Sequence, residues 1–509
     1  MATELSPQRA YRAACPNCGA PVEFRSAASA FAVCGFCKST VVRDGAALRR
    51  IGTSAELFDD HTPLQIGTSG RYQGSGFTLV GRLQYHYGEG TWNEWHALFD
   101  SGKSGWLSED NGRYVVAFDA PLAGPAPRST ALRAGDAVQV GGQAWAVASV
   151  TVATLRAAQG ELVDPPPLGR DFAVCDLRNT QGEVATLEYA DPPSPRWSVG
   201  RSVALSELAL TGLADPGEKT LGGRAVQCPN CGAALDIKLT TTRSIVCGQC
   251  HSVIDLTEGV GGELQHYAQG VALEPLIPLG SIGQFAFGSG QVQPWQVVGY
   301  VERCEVPESA DDEQTFWREY LLYHRTEGFA FIVDAQDGWS WSVPITGVPE
   351  SAGGGAAYQG VVYRKLYDYT GQVTYVVGEF YWQVTQNQRT INTDFQGTGA
   401  SAAKRLNREQ TRSGATEEVV WSAGETLAAD SVMSAFRLAS TPAAALRRDA
   451  LPTAFGGSLL AKIMIWAAVL IVLLIVVRCS TGDDESGGGY GYGSAGGAYG
   501  GYSSGGSHK

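Results

Sequence analysis

The segment CPNCGA at residues 15–20 is answered by CGFC at 34–37, with fifteen residues between Cys18 and Cys34. The whole arrangement returns as CPNCGA at 228–233 and CGQC at 247–250. Two CxxC pairs at this spacing form the pattern of a zinc ribbon, in which each CxxC turn sets two thiolates beside an ion and a hairpin returns the other two. The expected ligands are Cys15, Cys18, Cys34 and Cys37 for one ion and Cys228, Cys231, Cys247 and Cys250 for the other, two structural Zn2+ in all. Four thiolates leave no coordination position for water or substrate, so such sites hold folds together rather than perform chemistry. Glycines follow Cys18, Cys34, Cys231 and Cys247, and are expected to let the chain turn tightly around the metal. His251 directly follows Cys250 and is expected outside the ligand set. A disulfide framework is the competing reading; it requires an oxidising compartment, and Met1–Tyr11 is too polar for a secretion signal. Cys175, Cys304 and Cys479 stand outside both clusters, the first two in strand-like stretches where an ordinary buried thiol is expected.

At 509 residues with 44% hydrophobic content, the chain has room for several packed domains. Its net charge of −13 opposes a large phosphate-binding surface, and nucleic acid is not expected as its main partner. The first ribbon runs against this balance: Arg9, Arg12, Arg25, Lys38, Arg43, Arg49 and Arg50 outnumber Glu4, Glu23 and Asp44. Such an edge is either a solvated face or a contact for an acidic partner or lipid headgroups.

From Leu459 to Val477 runs LLAKIMIWAAVLIVLLIVV, with Lys462 as its sole charge. About twenty apolar residues in a helix span a hydrocarbon core, and a single membrane helix is expected over 458–478. Arg437, Arg447, Arg448 and Lys462 on one side, against Arg478, Asp483, Asp484 and Glu485 on the other, place the N-terminal domains in the cytoplasm. The Gly/Ser/Tyr-rich stretch 480–509 has no apolar periodicity, and is expected as a disordered tail outside the cytoplasmic compartment.

Between these landmarks the sequence repeats. Trp92, Glu94 and Trp95 answer to Trp317, Glu319 and Tyr320; Gly160, Glu161 and Leu162 to Gly378, Glu379 and Phe380; Trp197, Ser198 and Gly200 to Trp421, Ser422 and Gly424; Asp176 to Asp394. The expected organisation is a ribbon over 1–50, a β-domain over 60–212, a second ribbon over 222–258 and a second β-domain over 272–440. Alternation around Glu94 sets Trp92, His96 and Leu98 on one face of a strand and Trp95, Ala97 and Phe99 on the other. Asn111-Gly112 is a type I′ hairpin signal, because both central positions of that turn need positive φ. Short strands and frequent glycine predict a mainly β fold of small barrels or sandwiches. A short helix capped by Ser206 or Ser431 is expected to close each repeat.

The order of a CPNCGAP ribbon, LxxGTxGRYxGxxFTxxGRxQY, GTWNEWH, GWL, and the GEL and WSxG segments resembles the bacterial family built on domain of unknown function 4178, from Cys15 to about Ala435. The resemblance implies no established activity. Members lie beside small membrane proteins and polyamine-synthesis-like enzymes, which implies an envelope-associated system. The second repeat departs from the pattern, with Tyr320 and Leu321 in place of Trp-His and an acidic insertion, PESADDEQ, before Trp317.

The chain has no Walker loop or HExxH, and outside the Gly/Ser/Tyr-rich stretch 480–509 no GxSxG. Its candidate catalytic residues are Glu94 and His96, two apart on one strand face, where a carboxylate could orient an imidazole. Glu161 with Asp176, mirrored by Glu379 with Asp394, is a second acidic pair and a candidate for ligand binding. Trp92, Trp95, Trp106 and Tyr114 are the aromatic set able to cage a cation such as a polyamine, against the plainer reading of core packing. The resulting expectation is a membrane-tethered scaffold with unidentified protein partners, favoured over an enzyme. Its rivals are an enzyme or polyamine-like ligand sensor using the Trp/Glu/His cluster, and a nucleic-acid-associated regulator.

Overall fold

The computed structural model describes residues 11–438, apart from 25–30, 45–46, 54–61, 88–89, 111, 165–168, 215–225, 236, 238–241, 243, 257–265, 268–274, 288–289, 308–313, 325–326, 383, 385–386 and 414–415. The expected membrane segment 458–478 and tail 480–509 lie outside the described residues, among which no helix is long and apolar enough to cross a membrane.

Eight strands of the first repeat form a ring: β1 Ser75–Tyr87, β2 Gly90–Phe99, β3 Ser104–Asp110, β4 Arg113–Asp119, β5 Gln143–Leu162, β6 Asp171–Arg178, β7 Glu183–Glu188 and β8 Arg196–Val203. Antiparallel pairing runs β1-β2-β3-β4-β8-β7-β6-β5 and returns from β5 to β1, closing a barrel. The second repeat repeats it with β9 Gln293–Glu305, β10 Phe316–His324, β11 Gly328–Ala335, β12 Gly338–Ile345, β13 Val361–Phe380, β14 Arg389–Gly397, β15 Lys404–Ser413 and β16 Thr416–Leu427. Its ring is β9-β10-β11-β12-β16-β15-β14-β13 and back to β9. Closure removes the exposed sheet edges that two open sheets would leave.

Closure depends on the long strands β5 and β13. The first half of β5 pairs with β6, through Ala146–Thr154, and the second half pairs with β1, through Leu155–Gly160. The crossing is tight enough to exclude side chains: a Cβ on Gly81 would sit 1.9 Å from the Glu161 carbonyl oxygen, and Gly160 has φ +72°. Gly299 meets the Glu379 carbonyl in the same way. A Gly81→Ala substitution is therefore expected to destabilise the first repeat by about 1–3 kcal/mol through overpacking against backbone, measurable as a lower urea midpoint at unchanged slope.

Alternation along the strands sorts residues between lumen and outer wall. In the first barrel Leu83, Tyr85, Trp92, Trp106, Leu155, Phe172 and Val174 meet across the lumen. Phe77, Leu79, Trp95, Ala97, Phe99 and Leu107 face outward and are covered by Leu64 and by Leu205 and Leu208 of a 3-10 turn. The helix α1, Ala429–Phe436, covers the second barrel likewise with Val432 and Phe436. Serine caps neither element: the residues before them are Ala204 and Ala428. The freed Ala204 amide is satisfied by donating to the Glu207 carboxylate at 3.2 Å. Asn111 lies outside the described residues, but Asp110 pairs with Arg113 and Gly112 has φ +81°, which leaves the expected two-residue turn.

Each ribbon joins its barrel by β-pairing. Phe31–Val33 adds to the end of β5 at Gly160–Leu162, and Ser244 and Ile245 pair with Phe380 and Glu379 of β13. The two repeats also share a seam. Ser149 and Val150 of β5 pair with Glu418 and Glu417 of β16, and the Thr151 and Thr416 hydroxyls lie 3.1 Å apart. Gly112 admits no Cβ because the Gly328 backbone would be 2.3 Å away.

Candidate functional site

The two cysteine groups converge as the spacing predicts. Within each, all four Sγ atoms lie within 4.8 Å of one another, with Cys15–Cys37, Cys18–Cys34, Cys228–Cys250 and Cys231–Cys247 at 3.6–3.7 Å. A regular tetrahedron with metal–sulfur bonds of about 2.3 Å separates its sulfurs by about 3.8 Å, so either group can hold an ion. The turns are built differently from the glycine reading. Gly19 and Gly232 do adopt positive φ, +75° and +72°, but in the second turn the left-handed residues are Lys38 and His251, both at +56°. Gly35 and Gly248 are exposed residues of ordinary φ. His251 therefore shapes the turn behind Cys250. Cys37 Sγ lies 3.3 Å from the Ser39 hydroxyl, an interaction that, with Asn17 and the Ser39 backbone, pulls its thiol down to about 5.

The other candidates from the sequence divide among three places. Trp92 faces the lumen, stacked on Tyr85 at 4.8 Å. Trp95 and Tyr114 face the outer wall, where the Trp95 indole N–H and the Tyr114 hydroxyl donate to Glu109 at 3.0 and 3.2 Å. Thr62 also donates to this buried carboxylate, and Arg82 lies over the Trp95 ring at 4.8 Å. The four aromatics therefore form no single cage. His96 is fully buried in the lumen; its Nδ1 lies 3.0 Å from the Glu161 carbonyl oxygen and its Nε2 3.0 Å from the Ser104 hydroxyl. Burial lowers its pKa, and the neutral ring braces β2 against β3 and β5. Asp176 accepts from Thr186 at 2.8 Å and Ser149 at 3.3 Å, as Asp394 accepts from Asn407 at 2.7 Å. Glu161 stands twelve residues along β5 from Ser149, at the ribbon end, so the two acids do not converge. Its counterpart Glu379 accepts from Thr242 of the second ribbon at 2.5 Å.

The residues that do converge include four that the sequence reading did not single out. The mouth of the first barrel is a cavity of about 810 Å³ lined by Tyr85, Trp106, Trp197, Asp119, Glu188 and Arg196, with Asp164, Arg170 and Asp191 at its rim. Arg196 donates to both Asp119 oxygens, at 2.9 and 3.0 Å, lies 4.0 Å from Glu188 and covers the Trp106 ring at 4.7 Å. Burial opposes its charge, yet Asp119, Glu188 and Glu94 together raise its pKa above the ordinary value. Tyr85 is raised well above its usual range by burial, then by the negative potential of Glu188 and Glu94. Carboxylates outnumber arginines here, so the mouth stays negative after Arg196 is neutralised.

At matched positions the second barrel is closed. Trp317, Glu319 and Glu409 answer to Trp92, Glu94 and Glu188. The arginine has moved: Val420 takes the place of Arg196, and Arg303 the place of Tyr85. Arg303 Nε lies 3.3 Å from Glu319, its Nη1 3.8 Å from Glu409 and 3.1 Å from the Thr390 hydroxyl. Arg303 and Glu319 have no solvent exposure and Glu409 has 1%, whereas the Arg196 and Asp119 side chains are 26% and 46% exposed. A repeat alignment could have flagged this site, since Arg196 directly precedes the shared WSxG segment where the second copy has valine.

Fold and centres define a duplicated, mainly β protein with two closed barrels, each carrying a four-cysteine site able to hold a metal. The chain belongs to the DUF4178 family, a domain of unknown function, whose model matches residues 65–205 and 283–429, more than half of the sequence and nearly coincident with the two barrels. No curated protein matches it. Among solved structures, intact Ap-TbpB (N and C lobes) aligns at 11% identity over 76% of this chain and 84% of that one, with a TM-score of 0.10.

Proposed function

We propose that this protein is a membrane-tethered binding scaffold whose ligand site is the mouth of the first barrel, and that the ligand is a cation of the amine class, such as a linear polyamine. The contrast between the two barrels carries this reading. At the matched positions each lumen holds two glutamates and an arginine; one copy buries all three, whereas the other keeps Glu94 buried but leaves Arg196 and Glu188 partly exposed beside Tyr85 and Trp106. Excess carboxylate supplies charge attraction, and the aromatic faces supply cation–π attraction, for a cation that displaces or adds to Arg196. The reading is of binding rather than catalysis, because the buried His96 imidazole has both ring nitrogens engaged. Zinc is the ion that the all-thiolate ligand set and its tetrahedral spacing favour for the ribbons. The segment Leu459–Val477 is the proposed tether, and it would concentrate the barrels at the inner face of a bacterial cytoplasmic membrane. No specific observation favours the nucleic-acid reading.

Thermal unfolding of the full chain with di- and polyamines, compared with neutral and anionic compounds of similar size, tests the ligand class. Polyamines are expected to raise Tm in wild type and to lose most of that effect in Glu188→Gln. Equal responses to all compounds, or none to amines, would remove the support for the site.

A further inference from the structure

We propose that the first ribbon docks on an anionic lipid surface, with Phe36 as the inserted side chain. Phe36 is 81% exposed at the tip of the turn between Cys34 and Cys37, the most exposed large hydrophobic residue among those described. An isolated exposed apolar side chain is unremarkable on a protein surface, but this one sits on a turn that a bound metal would hold rigid. The matching position in the second ribbon is an exposed glutamine, Gln249, so the metal site itself does not require an apolar residue there. Lys38 reaches back across the turn to the Gly35 carbonyl, and on the neighbouring hairpin Arg12, paired with Glu23 at 3.1 Å, keeps 69% of its side chain exposed.

Charge selects the occupant. Residues 1–50 carry seven Lys and Arg against three Asp and Glu, while the whole chain has net charge −13. Residues 222–258, around the second ribbon, carry Arg224, Lys238 and Arg243 against Asp236, Asp255 and Glu258, and are balanced. Only the first ribbon therefore joins an apolar tip to a local positive excess, the pairing that suits an interface of apolar tails and anionic headgroups. The proposed tether makes such contact reachable, since the twenty residues between Leu438 and Leu459 span at most about 70 Å.

The test places photoreactive benzoylphenylalanine at position 36 of the full chain, reconstituted in phosphatidylcholine vesicles with or without phosphatidylglycerol. Metal content and flotation of the vesicles are measured in parallel. The expected result is cross-linking of position 36 to lipid, at least fivefold greater with phosphatidylglycerol. It should fall about fivefold in Lys38→Gln, the worth of one basic residue near an anionic surface, and fall again near 1 M salt. Cross-links to protein or nucleic acid alone, or none from a chain that floats and keeps its metal, would overturn lipid docking while leaving the tether intact. A chain that floats with neither lipid would overturn both.

Discussion

Chelation of the ribbon metals is expected to unfold residues 31–44 and 244–255 while leaving both barrels closed, and to release two zinc ions per chain. Structural zinc in small ribbons contributes apparent binding free energy on the order of 10 kcal/mol at neutral pH, far beyond any single contact elsewhere in the chain. The ribbons cannot replace it. Their apolar groups are small: Val22, Phe24, Ala32 and Val41 around one set of cysteines, and Leu235, Ile245, Ile254 and Leu256 around the other. The barrels, by contrast, hold their own buried clusters and complete hydrogen-bonded rings. A chromophoric chelator should count the released metal, and hydrogen exchange should accelerate in the ribbons and at the Gly160–Leu162 and Glu379–Phe380 ends of β5 and β13. A Cys34→Ser chain should lose one ion and show the change in the first ribbon only. Because the thiolates must be deprotonated to bind, metal is expected to leave as pH falls and to stay bound as it rises. Global unfolding of the barrels on chelation would contradict this division of stability.

The second large effect is expected from Arg303→Met. Removing one partner of a buried ion pair leaves uncompensated charge and costs about 3–5 kcal/mol. Here Glu319 and Glu409 would both face the empty position with no water to solvate them. The matching change at the open mouth, Arg196→Met, is expected to cost no more than about 1–2 kcal/mol, because Asp119 and Arg196 are partly solvated. Denaturant unfolding of both variants measures the difference, and equal costs would contradict the sealed-versus-open distinction.

Glu319 adds a pH signature to the same cluster. Burial pushes its carboxyl up to about 7 from 4.5, against the opposing pull of Arg303 and the Trp317 indole N–H. The folded state therefore keeps a proton that the unfolded chain gives up above pH 4.5. The stability from this group is present below about 4.5 and is lost as pH rises through about 7. Glu319→Gln should flatten that part of the stability–pH curve.

Much of this architecture is legible in the sequence because it is carried by short, local patterns. The cysteine spacing fixes both metal groups, and the paired landmarks Gly160/Gly378, Asp176/Asp394 and Trp197/Trp421 fall at equivalent sites of the two barrels. Period-two alternation places Trp92 and Trp95 on opposite faces of β2, though only the closed ring shows which face is the lumen. Closure is hidden because β5 and β13 change partners midway along one strand. The mouth is hidden for a related reason: Tyr85, Asp119, Glu188 and Arg196 come from four strands, and their meeting depends on register across the ring. Glu94 and His96 are local neighbours, and locality misleads there, because the His96 ring reaches the Glu161 carbonyl and Ser104.

The most direct test of the account is isothermal titration of a linear polyamine into the full chain, at low and high ionic strength, with Glu188→Gln and Arg303→Met as the paired variants. One site per chain is predicted, weakened by salt and by Glu188→Gln, and unchanged in Arg303→Met wherever that variant remains folded. Binding that ignores Glu188, or no binding to a folded, metal-loaded chain, would contradict a cation site at the mouth of the first barrel.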